Sequence, residues 1–99
     1  MAELIEDEKL EEELENLSIW GLEMGKLATR AEFDNYRDAV FFANSVFSIA
    51  EEEFHHPEVR VEYGAVEIDL WSHEEEGITQ KDIEVAKRIE EKLVETDWD

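Results

Sequence analysis

The chain has 99 residues, the length of one domain, and at 42% hydrophobic and 10% aromatic it is apolar enough for a core and against wholesale disorder. Its 29 acids against 9 bases give a formal charge of −20, a field that repels phosphate and argues against direct nucleic-acid binding or docking on an anionic membrane. There are no cysteines, which excludes disulfides, thiolate metal sites and a cysteine nucleophile.

No apolar run approaches the ~20 residues of a membrane span, and no basic-then-apolar leader opens the chain, so a cytoplasmic protein is expected. The acid excess would also suit a salt-rich cytoplasm, where ions screen self-repulsion. Residues 1–8 are acidic and expected to fray, leaving a single domain over 9–99. From Lys9, the spacing of Leu10, Leu14 and Leu17 predicts a short amphipathic helix. Gly25 divides Ile19–Met24 from Lys26–Phe33. In the second run Leu27, Thr29, Ala31 and Phe33 alternate with Lys26, Arg30 and Glu32, the period of a strand with one buried face. The pair reads as a hairpin.

Asp34 is the expected N-cap of the next helix. Tyr36, Val40, Ala43, Phe47, Ala50 and Phe54 recur at helical spacing, and Phe42, Val46 and Ile49 make a second stripe. The first stripe is assigned to the core and the second to a subunit contact, because one sheet face needs only ~100° of helix surface. Pro57 is expected to end this helix. Val59, Val61 and Tyr63, then Val66, Ile68 and Leu70, alternate with polar residues on either side of Gly64 and predict a second hairpin. Thr79 and Asp82 form a capping-box start for a last helix carrying Ile83, Ala86, Ile89 and Leu93. The order α-β-β-α-β-β-α implies an α+β fold, a four-stranded antiparallel sheet with three helices packed on one face. Leu27, Phe33, Tyr36, Val40, Phe47, Val61, Val66, Ile68 and Ile89 are its expected core.

The three histidines fall at element ends: His55 and His56 after the long helix, His73 after the last strand. An antiparallel return from Pro57 brings them to one end of the sheet. Imidazole titrates near ~6.5 and can give and take protons at neutral pH. Glu51, four residues before His55, would share its helix face. Three histidines and a glutamate could also hold zinc. But adjacent histidines project ~100° apart on a helix and to opposite faces of a strand, so no metal is expected. No nucleophile elbow or glycine-rich phosphate loop is present in the sequence.

Glu51-x-x-x-His55-His56-Pro57, followed by Tyr63, His73, Gly77-Ile78-Thr79 and Asp82, resembles the pterin-4a-carbinolamine dehydratases. Weaker echoes lie in Trp20, Gly25, Phe33, Tyr36 and Ala39, so the resemblance runs over about residues 10–95. The chain departs from the family pattern at Phe54, usually a small polar residue, and at Ser72, usually threonine, where the hydroxyl survives. The aromatic usual in the second strand is Ala31 here.

The resemblance implies a single pterin dehydratase-like domain and a hydro-lyase. Such an enzyme expels water from a 4a-hydroxytetrahydropterin to give quinonoid dihydropterin, a step of tetrahydrobiopterin biosynthesis. His55, His56 and His73 would be the catalytic set: His55 and His73 moving protons, His56 positioning the pterin. Glu51 would orient His55 or hold the ring; Pro57, Ser72 and Asp82 would complete the substrate site. For Pro57, Tyr63 and Asp82 plainer roles compete: a helix exit, core filling and a helix cap. No cofactor is implied. Two other readings are open. One is a binding module or coactivator that engages a partner helix. The other is the same fold acting on another pterin, as in molybdopterin metabolism. A homodimer or homotetramer is expected from the second stripe of the long helix.

Overall fold

A computed structural model describes residues 3–98. The elements are α1 (Asp7–Glu15), β1 (Gly21–Glu23), β2 (Lys26–Glu32), α2 (Tyr36–Glu53), β3 (Glu58–Glu62), β4 (Ala65–Leu70) and α3 (Gln80–Glu95). The four strands form one antiparallel sheet in the order β1-β2-β4-β3, as the α+β reading requires. Both hairpins appear where expected. Met24 and Gly25 turn the first with positive φ of 51° and 77°, the handedness a tight two-residue hairpin needs.

Strand alternation separates the faces. Leu27 and Ala31 of β2, and Val66, Ile68 and Leu70 of β4, are buried beneath the helices with Ile83, Val85, Ala86 and Ile89 of α3. The opposite face carries Arg30, which bonds Glu67, Glu62 and Glu32, and Arg60, which bonds Glu67. The helices therefore occupy one side and an ion-pair lattice the other.

The second stripe of α2 joins the core, and the first is divided between core and surface. Phe42 and Val46 are 0% exposed and Ile49 is nearly so, all within the core beside Ala39, Ala43 and Ala50. They cannot form a subunit contact. Tyr36 and Phe47 are instead about half exposed, at 52% and 47%. Alanines at 39, 43 and 50 let the helix settle close to the sheet, and Phe42, Val46 and Ile49 lie together along one side of that alanine row. Val61 and Tyr63, expected in the core, are also exposed, because β3 is an edge strand that α2 covers only in part. Tyr63 stacks on Tyr36 at 6.0 Å. Phe33 and Val40 are half-buried; Leu27, Val66, Ile68 and Ile89 are fully buried as expected.

Three ends differ from the sequence reading. Asn35, not Asp34, caps α2: its side chain accepts from the Asp38 N–H at 2.8 Å. Residues 4–8, expected to fray, are tied down. Leu4 bridges to Thr79, the Ile5 N–H donates to the Ile78 carbonyl, and α1 already begins at Asp7. Residues 1 and 2 of that segment lie outside the described residues. Finally, α2 stops at Glu53, before Pro57. Phe54 takes the left-handed conformation (φ 51°, ψ 47°), and the N–H groups of Phe54 and His55 bond the Glu51 and Ala50 carbonyls at 3.3 and 3.0 Å. These paired bonds close a Schellman motif, which normally uses glycine at the left-handed position.

Candidate active site

The β3–β4 register pairs Glu58 with Asp69. Continuing it past the strand ends brings His55 and His56 to the same end of the sheet as Trp71, Ser72 and His73. The β2–β4 register pairs Leu27 with Leu70, so Lys26 arrives there too. Strands alternate their side chains, so Ser72 points inward while Trp71 and His73 point the other way.

The inward side holds a connected polar network. Asp82 is 0% exposed. Its Oδ1 lies 2.5 Å from His55 Nε2. Its Oδ2 accepts from Ser72 Oγ at 2.8 Å and from the Thr79 N–H at 2.8 Å, and Ser72 Oγ also lies 2.8 Å from Thr79 Oγ1. The capping box at Thr79 is therefore present, and its carboxylate doubles as the partner of His55. All of the neighbours of Asp82 are able to donate, which is the shell an ionised carboxylate requires when buried. An imidazole that donates Nε2–H to such a carboxylate keeps the lone pair of Nδ1 free as a base. The loop between Ser72 and Thr79 is pinned by reciprocal bonds between Ser72 and Gly77, at 2.8 and 3.3 Å.

Glu51 does not partner His55. The left-handed turn at Phe54 swings His55 off the helix face that Glu51 occupies, and Glu51 Oε2 meets His56 Nε2 at 2.7 Å instead. Both side chains of that pair are more than half exposed. The Phe54 ring stands edge-on to His56 at 5.5 Å. His73 is held differently again: its ring lies parallel to Trp71 at 4.1 Å, and the Lys26 ammonium sits 4.0 Å from the same indole. Trp71 and Lys26 were not singled out from the sequence. The spacing of Trp71 and His73 on one side of a strand carried the signal for the first; only the strand register reveals the second. Pro57 follows the histidines, half-buried in the link between α2 and β3, and no hydrogen bond among the described residues ties it to the network.

Among the described residues no three His, Asp or Glu side chains converge as a set of metal ligands. A groove of about 800 Å³ on the outer sheet face, lined by Arg30, Arg60, Glu67 and Asp69, contains none of the histidines. No described helix is long and apolar enough to cross a membrane.

A small α+β domain whose sheet end carries a His–Asp pair and two further histidines is an arrangement suited to proton transfer. The sequence profile of the family described as pterin 4 alpha carbinolamine dehydratase matches residues 3–92, and the chain belongs to that family. A protein of Nostoc sp. is 37% identical over 90% of this chain and 96% of its own. One of Aquifex aeolicus is 37% identical over 96% of each, and one of Natronomonas pharaonis 35% identical over 92% of this chain and 97% of its own. All three carry pterin-4-alpha-carbinolamine dehydratase as a provisional name. Among solved structures, a transcriptional coactivator/pterin dehydratase from Brucella melitensis superposes with a TM-score of 0.81 at 27% identity, covering 87% of this chain and 94% of that one. A pterin dehydratase-like protein described as a RuBisCO assembly factor in the alpha-carboxysome shares the fold at a TM-score of 0.63 and 20% identity, covering 74% of this chain and 87% of that one.

Proposed function

We propose that this chain dehydrates a 4a-hydroxytetrahydropterin to quinonoid dihydropterin by histidine acid–base catalysis, with neither metal nor cofactor. The observation that carries the reading is the His55–Asp82 pair, braced by Ser72 and Thr79. In the reaction the C4a–O bond breaks, the hydroxyl leaves as water with one added proton, and N5 gives up its proton as the C4a=N5 bond forms. His55 takes the N5 proton at Nδ1, and Asp82 stabilises the imidazolium that results. His73, with no carboxylate on its ring, delivers the proton to the departing hydroxyl. His56, oriented by Glu51, positions the pterin. Ser72 and Asp82 act behind His55, and Pro57 stiffens the link that leads from the histidine pair into β3.

Direct assay of 4a-hydroxytetrahydropterin turnover tests this. Measurable catalysis that falls in His55→Ala, His56→Ala and His73→Ala supports the reading. Wild-type rates in all three, with an intact fold by circular dichroism, overturn it. Turnover of a different pterin alone would keep the chemistry and change the substrate. Chelator should leave the rate unchanged.

A second reading has its own observation, the exposed apolar residues Tyr36, Phe47, Val61 and Tyr63. Such a strip beside an edge strand suits a protein contact. Self-association to a homodimer or homotetramer is the preferred use. A stable complex with a foreign helix, in the absence of turnover, would instead favour a coactivator-like module. The charge of −20 is the basis for expecting no direct contact with nucleic acid or membrane, and a cytoplasmic location is kept as an expectation.

A further inference from the structure

Each imidazole of the candidate site has a different holder. His55 has Asp82, and His56 has Glu51 and Phe54. His73 is exposed, and no hydrogen bond from the described residues holds its ring; Trp71 is the group that touches it. The two rings lie within 16° of parallel at 4.1 Å, a close offset stack. The Lys26 ammonium is 4.0 Å from the indole, well inside cation–π range. The imidazole and the ammonium therefore both rest on the Trp71 indole, which is held between Lys26 at the start of β2 and His73 beyond the end of β4.

We propose that Trp71, backed by Lys26, is the positioning residue that fixes the ring plane of His73. The clamp follows from the topology. Lys26 opens β2 and is the cross-strand neighbour of Trp71 by register, while Trp71 and His73 share one side of the chain leaving β4. An exposed histidine in a loop otherwise samples several rotamers, and proton transfer needs one orientation. Without the indole, His73 keeps its chemistry and loses its aim. The catalytic consequence rests on the dehydratase reading; the geometric one does not.

Two measurements on the full chain separate them. The first is solution NMR of the histidine ring protons at fixed pH. A ring stacked on indole has its carbon-bound protons shifted upfield by the ring current. His73 should show that shift in the wild type, keep part of it in Trp71→Phe, lose it in Trp71→Leu, and show a reduced shift in Lys26→Met. The His55 and His56 signals should stay in place. Unshifted His73 protons in the wild type, or no response to Trp71→Leu, overturn the clamp. The second measurement is steady-state turnover. Trp71→Leu should lower kcat by roughly 10- to 100-fold, the scale of a misaligned catalytic group, with little change in KM and substantial rescue in Trp71→Phe. Full kcat in Trp71→Leu, with the NMR shift lost, shows that the indole does not aim a catalytic group and overturns the positioning role. No turnover in the wild type overturns the dehydratase reading, and the NMR arm then decides the clamp alone.

Discussion

His55 Nε2 and Asp82 Oδ1 lie 2.5 Å apart, joining the exit of α2 to the first turn of α3 across 27 positions of sequence. One carboxylate thus caps a helix and orients an imidazole. Asp82→Asn replaces an all-acceptor group by an amide and can reverse the tautomer of His55. Turnover should fall about 10²-fold or more, the usual worth of a correctly set proton-transfer group. Asp82→Ala should in addition destabilise the fold by about 1–3 kcal/mol, since Ser72 Oγ and the Thr79 N–H lose a buried acceptor. Thermal melts beside rate measurements separate the two effects. An unaltered rate in Asp82→Asn would remove Asp82 from the site.

Phe54 sits in a left-handed turn and is 84% exposed. Glycine at this position should be tolerated, raising stability by up to about 1 kcal/mol as the Cβ penalty is relieved. His56 should become less ordered, because its edge-on contact with the ring is lost. Chemical denaturation reads the first effect and the KM for pterin the second. A loss of more than about 1 kcal/mol would show that the Phe54 ring stabilises the fold more than its backbone strains it.

The buried and exposed sides of α2 give a paired test of association. Phe47→Glu with Tyr63→Glu should leave a folded chain of smaller sedimenting mass. Phe42→Glu should unfold it, because a buried charge without a partner is not tolerated. Salt should strengthen any self-association, since two surfaces of charge −20 repel one another until screened. A mass unchanged by the double substitution would move the contact elsewhere, such as to the free edge of β1.

Lys81, then Arg88, hold the Glu53 carboxyl below the usual carboxylate range, and Arg30 does the same for Glu62. A depressed folded-state value stabilises the fold above the unfolded value of ~4.3 and ceases to do so as pH falls through the folded value. Glu53→Gln should therefore lower the melting temperature at pH 7, and the difference from wild type should close between about pH 5 and pH 2. Taking the difference removes the general relief of acid–acid repulsion that lower pH brings to both chains. A gap that persists unchanged at pH 2 would mean the side chain acts through packing alone.

The sequence by itself determined the order of the elements, the two hairpins, the start of α2 at Tyr36 and the capping box at Thr79–Asp82. These are local properties, set by alternation, helical spacing and turn chemistry. Tertiary structure decided the rest. Periodicity says which residues share a side of α2, but not which side meets the sheet; the buried side takes Ala43 and Ala50 from the first stripe with Phe42, Val46 and Ile49 from the second, and leaves Phe47 exposed. Helical spacing pairs Glu51 with His55, but Phe54 ends the helix in a conformation usually reserved for glycine and turns His55 away. The double duty of Asp82 and the Lys26–Trp71–His73 clamp depend on groups brought together by strand register and helix docking, contacts that no linear spacing contains.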